Sequence, residues 1–187
     1  MRVIAGKYRS RLLKGPGMMR VRPTSDRLRE TLFNVLGPSI ADSYFVDLFA
    51  GTGAVGIEAI SRGARDVFFV ESYAKAAKLI RDNLASLEIR TGAEVIEADA
   101  VRGLERLASR RLLADFIFLD PPYEKADEYS DVLEFLDASH LIAPRGIVIV
   151  EHFSKMELPQ RLDRLECTRE IEQGDTLLSF YRLAAAA

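Results

Sequence analysis

Short, nearly all-apolar runs alternate along this chain with stretches whose apolar residues recur every three or four positions. The apolar runs fall at 44–49, 67–70, 94–98, 116–119 and 147–150. The first stops at a glycine cluster and the others at Glu71, Asp99, Asp120 and Glu151. Helical spacing holds over 55–62, 74–87, 101–107 and 127–136; in the second of these, Ala77, Ile80, Leu84 and Leu87 share a face. Two more strand-like segments, 165–171 and 177–183, meet across Gly174-Asp175. Strands that are apolar on both faces and separated by helices predict an α/β fold. Its sheet is seven-stranded and mostly parallel, covered on both sides, with the terminal pair supplying an antiparallel edge. The acids sit just beyond the strands' C-terminal ends, where open α/β sheets bind ligands.

Upstream the pattern is different. Residues 1–22 mix basic positions with Val3, Ala5, Tyr8 and Leu12 and run into Gly15-Pro16-Gly17, which reads as a hairpin or extended arm followed by a turn. A helix over 23–37 follows: Thr24 or Ser25 can cap it, Leu28, Leu32, Val35 and Leu36 have helical spacing, and Gly37-Pro38 ends it. One domain over 1–187 is expected, made of the arm (1–22), this helix and a core from 44 onward.

Charge sharpens this division. The first thirty residues hold nine Lys or Arg against two acids, a local charge of +7, and the rest hold 17 against 26, or −9. A basic arm on an acidic body suits a polyanion, because clustered cations displace the counterions of phosphates. With 48% hydrophobic and 29% charged residues the chain is neither a membrane protein nor disordered. No apolar run is long enough to span a bilayer, and the start lacks the apolar run of a signal peptide. Cys167 has no partner cysteine, and His140 and His152 stand apart from other ligand types, so no disulfide, no metal site and a cytoplasmic location are expected.

The chemistry begins at Asp47-Leu48-Phe49-Ala50-Gly51-Thr52-Gly53-Ala54-Val55-Gly56. A Gly-x-Gly-x-x-Gly between a strand and a helix permits a tight turn and a close ligand approach to a helix N-terminus. Glu71, twenty residues after Gly51 at the next strand tip, can accept both hydroxyls of a ribose. A nicotinamide cofactor and S-adenosylmethionine both fit this much. Two acids favour the second: Asp47 can face a cationic amino-acid moiety, and Asp99 can accept from an adenine amino group. No further domain remains for a hydride acceptor.

At the fourth strand tip stands Asp120-Pro121-Pro122-Tyr123. The prolines stiffen the turn and bring no N–H, leaving carbonyls that need donors. Asp120 and the Pro121 carbonyl can accept from one planar amino group and draw its nitrogen toward tetrahedral geometry. The freed lone pair can then attack a sulfonium methyl in line. Tyr123 offers a ring for the target base.

Residues 22–34, the segment from Asp47 to Ala59, the tetrad at Asp120 and the opening Arg2-Val3-Ile4-Ala5-Gly6-Lys7-Tyr8-Arg9-Ser10-Arg11 together resemble the bacterial small-subunit (16S) ribosomal RNA guanine-N2 methyltransferase D family. The resemblance covers nearly the whole chain. It implies a Rossmann-like class I methyltransferase fold, S-adenosylmethionine as cofactor, and transfer to the N2 amino group of a guanine in 16S rRNA, free or within a small subunit or assembly intermediate. A monomer is expected. The implied cofactor contacts are Asp47, Phe49, Gly51, Gly53 and Gly56, then Glu71, Asp99 and Ala100. Asp120, Pro121, Pro122 and Tyr123 are the catalytic set. RNA contacts fall to Arg2, Lys7, Arg9 and Arg11 in the arm, and to Arg22, Thr24, Arg27 and Arg29 around the first helix. Ser72-Tyr73 after Glu71 and the tail Gln173-Gly174-Asp175-Thr176 depart from the family pattern. The alternatives are an adenine-N6 methyltransferase on DNA or RNA, a nucleic-acid-binding assembly protein without turnover, and a short dehydrogenase.

Overall fold

The computed structural model describes residues 1–15, 17, 25–122 and 126–185. Arg22, Thr24 and Tyr123 therefore lie outside the described residues. The elements follow in the order α1 (Asp26–Leu36), a 3-10 turn (Gly37–Ile40), β1 (Tyr44–Leu48), α2 (Ala54–Ser61), β2 (Asp66–Glu71), α3 (Ala74–Ser86), β3 (Ala93–Glu97), α4 (Ala100–Ser109), β4 (Ala114–Leu119), α5 (Ala126–Ala138), β5 (Ile142–Phe153), β6 (Leu165–Gln173) and β7 (Thr176–Leu183). They form one seven-stranded sheet of order β3-β2-β1-β4-β5-β7-β6. The first five strands run parallel, and β7 is antiparallel to both β5 and β6.

Strand alternation divides the interior in two. On β1 and β4, Phe45, Phe116 and Phe118 enter a core shared with α1, α2 and α3, while Val46, Leu48, Ile117 and Leu119 enter one shared with α4 and α5. The parallel registers Leu48↔Val70, Leu48↔Leu119 and Leu119↔Val150 align the C-terminal tips of β1, β2, β4 and β5 along one edge. Asp47, Glu71 and the Asp120 turn are thereby delivered to one rim, and the Glu71↔Glu97 pairing brings the end of β3, with Asp99 after it, alongside.

Local chemistry fixes the helix ends. Ser25 Oγ accepts from Leu28 N at 3.1 Å, making Ser25 the cap of α1, and Gly37 at φ +55° ends that helix. Strand β5 runs past both ends of its expected 147–150: Pro144-Arg145-Gly146 lies inside it, and so does Glu151, because antiparallel pairing with β7 carries the strand on to Phe153. A register shift against β4 between Ala114 and Phe116 absorbs Pro144-Arg145-Gly146. Gly146 is needed there, since a Cβ would lie 2.8 Å from the Ala114 carbonyl oxygen.

The first fourteen residues form a hairpin docked on α2. The Arg2↔Leu12 bridge and the Val3 N→Arg11 O and Ser10 N→Val3 O bonds close it, and Val3 and Leu13 are buried in the core with Leu28 and Leu32. Glu58, fully buried in α2, accepts from Ile4 N at 2.7 Å and Ala5 N at 3.0 Å. Ser61 Oγ accepts from Tyr8 N at 2.9 Å, and the Ser61 carbonyl from Lys7 N at 2.7 Å. Among the described residues no helix is long and apolar enough to cross a membrane.

Helix α4 packs so tightly on β2 that a Cβ at Gly103 would lie 2.4 Å from Val70 Cγ1 and 3.2 Å from its Cβ. Alanine gains about 1 kcal/mol of helix propensity there. Overpacking against a stiff β-branched neighbour costs about 1–3 kcal/mol. Gly103→Ala should therefore be net destabilising, and a urea melt with an unchanged or raised midpoint would show that α4 can lift freely from the sheet.

Candidate active site

Four loops meet at the rim. The β1–α2 loop turns through Phe49 (φ +55°), Gly51 (φ +55°) and Gly53 (φ +76°), and Gly53 is the N-terminal flank of α2. A non-glycine residue held at positive φ costs about 1–3 kcal/mol, so the surroundings must enforce Phe49's conformation. Two acids do much of this. Asp47 Oδ2 accepts from Gly56 N at 2.8 Å, and Glu71 Oε2 accepts from Gly51 N at 2.8 Å. The other Glu71 oxygen accepts from Tyr73 N at 2.8 Å, which leaves the carboxylate fixed across the β1 and β2 tips. Gly56 is required by packing: a Cβ there would lie 2.3 Å from Phe69 Cε1.

Asp47 is almost fully buried, and desolvation pushes its carboxyl up to about 8, opposed by the Gly56 N–H and assisted by the Glu71 charge. A cation placed beside Asp47 would reverse that shift. The loop thus combines backbone N–H groups with an acid that has no ion-pair partner among the described residues, a polar set suited to an ammonium and a diol. Asp99 is an exposed helix cap, its Oδ1 accepting from Arg102 N at 2.9 Å. Ala100, buried, is the first residue of α4, a position whose N–H has no intrahelical acceptor.

Beside β1, the fourth strand ends at Leu119 and is followed by Asp120, Pro121 and Pro122. Tyr129 on α5 sends its hydroxyl between the Pro121 carbonyl (3.4 Å) and the Glu151 carbonyl (3.2 Å), joining the β4 and β5 tips. Tyr129 has no sequence signal beyond its place in a helical repeat. Among the described residues no group of three or more His, Cys, Asp or Glu could hold a metal ion. His152, buried, lies 2.8 Å from Ser179 Oγ, and burial lowers its pKa, as suits a core histidine.

The expected RNA contacts separate into two groups. Arg2, Lys7, Arg9, Arg11 and Arg27 are exposed. Arg29 is not: its relative exposure is 0%, and its guanidinium donates to Asp26 (2.6 Å), Arg2 O (2.9 Å) and Ala54 O (3.3 Å). The expectation that Arg29 touches a phosphate is corrected, because the docked hairpin covers it. On a helix surface an arginine beside Glu30 reads as solvated, and only the hairpin's position reveals otherwise.

The family model described as "Conserved hypothetical protein 95" matches residues 1–182. YlbH of Bacillus subtilis is 37% identical over 182 residues, covering 97% of this chain and 98% of that one. The Escherichia coli protein named Ribosomal RNA small subunit methyltransferase D is 32% identical over 185 residues, covering 99% of this chain and 91% of its own. A solved Escherichia coli structure superposes with a TM-score of 0.85 at 30% identity, over 100% of this chain and 99% of that one. The expected Rossmann-like α/β fold is borne out.

Asp47 has a pH signature. Its folded pKa lies above the ordinary 3.8, so between about pH 4 and 8 the folded chain holds a proton that the unfolded chain has lost. Stability therefore falls as pH rises through that window and levels off above it. Asp47→Asn keeps an acceptor for Gly56 N and removes the titration. It should gain stability over the parent as pH rises from 4 to 8, by on the order of a few kcal/mol. Parallel stability–pH curves for the two proteins would mean that Asp47 stays ionised.

Proposed function

The chain belongs to the conserved hypothetical protein 95 family, and on that premise we propose that it transfers a methyl group from S-adenosylmethionine to the N2 amino group of a guanine in 16S ribosomal RNA. The supporting observation is the pairing of two parallel strand tips: β1 carries Asp47 and the glycine loop, β4 carries Asp120-Pro121-Pro122, and Leu48 faces Leu119 in register. The reading includes a cytoplasmic enzyme that acts as a monomer on the small subunit or an assembly intermediate.

The residues present fit the cofactor. Asp47 would face its ammonium group, Glu71 its ribose diol, and Asp99 with the Ala100 N–H its adenine. Gly51 and Gly53 give the loop the positive φ that brings its backbone close, Gly56 lets α2 pack on Phe69 beneath it, and Phe49 borders the loop. Bound S-adenosylmethionine supplies an electrophilic methyl group. Asp120 and the Pro121 carbonyl accept from the guanine amino group and orient its lone pair, and Tyr123 supplies a stacking ring. Positioning and electrostatics would carry this reaction: the N–C bond would form as the methyl–sulfur bond breaks and leaves a neutral thioether, and the amino proton would pass by way of the Asp120 carboxylate to water. Arg2, Lys7, Arg9, Arg11 and Arg27, with Arg22 and Thr24 beside them in sequence, supply the phosphate-facing side.

The direct test maps radiolabelled methyl groups after incubating the purified chain with small subunits that lack the modification and, in a parallel reaction, with DNA. Label at N2 of one guanine is expected, and label only on adenine N6 of DNA would overturn the assignment. Two variants separate the roles. Glu71→Ala should weaken S-adenosylhomocysteine binding by ~1.5–3 kcal/mol with the fold intact, since it removes charged acceptors. Asp120→Ala should keep that affinity and lose about 10²–10³-fold in turnover. Unchanged binding in the first, or near-normal turnover in the second, makes the residue a bystander.

A further inference from the structure

Two buried polar side chains tie the basic hairpin to the glycine loop. Asn83 on α3 has 0% relative exposure; its Oδ1 accepts from Lys14 N at 2.8 Å, and its Nδ2 donates to Lys14 O at 3.2 Å and to Thr52 O at 3.0 Å. Thr52 lies between Gly51 and Gly53. Arg29 on α1, equally buried, reaches Arg2 O in the hairpin and Ala54 O at the first turn of α2. Each side chain therefore holds hairpin backbone with one part of its polar head and loop backbone with another. Met1 adds a third link, with its Sδ 3.8 Å from Thr52 Oγ1. If the hairpin leaves, Asn83 and Arg29 lose buried partners, and their remaining bonds to Thr52 and Ala54 open to water. An unpaired buried polar group costs more than the bond it lost contributed, so the loop should not keep its shape unaided.

We propose that Asn83 and Arg29 are positioning residues that make hairpin docking a condition of the glycine loop's conformation. RNA phosphates bound by the hairpin's cations and the cofactor bound by the loop then strengthen each other. The coupling rests on the cofactor and RNA assignments above, but the mechanical link does not. Backbone groups make most of the hairpin's docking contacts, so the exposed side chains of Arg2, Lys7, Arg9 and Lys14 stay available to a polyanion while the strand behind them holds the loop. Linkage requires the effect to be reciprocal: whatever RNA does to cofactor affinity, the cofactor does to RNA affinity.

Gly6 offers a way to undock the hairpin without changing its charge or any loop residue. It sits at φ +81°, and a Cβ there would lie 1.8 Å from the Ser61 carbonyl oxygen. Gly6→Ala and Asn83→Ala in the full chain should each weaken S-adenosylhomocysteine binding about tenfold by calorimetry, within the usual range of allosteric coupling. The double variant should bind no more weakly than the worse single one, because both break the same link. In the parent, adding a 16S rRNA fragment should tighten S-adenosylhomocysteine binding about tenfold, and in both variants that gain should vanish. Amide exchange at Gly51, Gly53 and Gly56 should quicken in both variants relative to amides of β4 and β5, which a loss of stability alone would not produce. Folded variants with parental affinity and a parental RNA effect overturn the proposal. Should the parent bind no S-adenosylhomocysteine, the cofactor assignment fails and the exchange readout still decides: unchanged loop amides overturn the link. Should Gly6→Ala fail to fold, Asn83→Ala, which leaves the hairpin sequence intact, decides by the same readouts.

Discussion

Asp47 accepts the amide proton of Gly56 from inside a parallel strand, with almost no access to water, and the arrangement of the rim depends on that bond. It draws the first turn of α2 back onto β1, so the eight residues between donor and acceptor must turn sharply. The turn then uses positive φ at Phe49, Gly51 and Gly53. Glu71 holds Gly51 from the neighbouring strand and fixes the other end of the loop. Both bonds put acids where water cannot screen them, and Asp47 responds by holding its proton to about pH 8. A site of this kind is costly to an isolated fold and favours a positively charged ligand, because a cation offsets the desolvation that the Gly56 N–H relieves only in part.

The hairpin serves that loop from the opposite side. Its cations belong to a chain whose body is acidic, and in a solvated tail they would be a diffuse cloud. Docking through main-chain groups changes this. Glu58 and Ser61 accept backbone N–H groups, and Val3 and Leu13 fill the core, so side-chain charge takes little part in holding the hairpin down. The positive charge is thereby concentrated on one ordered surface, and its phosphate contacts need not be broken to keep the fold. One basic residue that helps hold the hairpin, Arg29, is withdrawn from solvent to do so, while Arg11, exposed, donates to the Ser86 carbonyl of α3 at 3.1 Å.

Period-two and period-3.6 patterns made the framework legible because each element buries its apolar residues on the faces that its own periodicity defines. The sheet, its strand-end acids, the glycine loop and the Ser25 cap follow from neighbours in sequence. What could not be read depends on distant partners. Asn83 meets Lys14 across 69 positions, and an asparagine midway along an amphipathic helix carries no mark of that contact. Arg29 looks like any surface arginine until the hairpin is laid over it. The extension of β5 through Pro144-Arg145-Gly146 is hidden for a related reason. Local turn chemistry predicts a break there, and pairing with β4 overrides it by shifting register.

The tip of β4 shows why tertiary contacts matter to the chemistry assigned to it. Sequence supplies a stiff proline turn whose carbonyls need donors, but stiffness alone does not fix where an oxygen points. Tyr129 does, by sharing one hydroxyl proton between the Pro121 and Glu151 carbonyls at 3.4 and 3.2 Å. Both distances are long for an O–H donor, so this hydroxyl holds the Pro121 carbonyl only weakly. Each carbonyl oxygen has two lone-pair directions, and the shared proton lies near one of them. The Pro121 oxygen is therefore held in orientation and still able to accept a short bond from an incoming amino group. Such a group would meet an acceptor already aimed, with little further ordering left to pay for as the reaction proceeds.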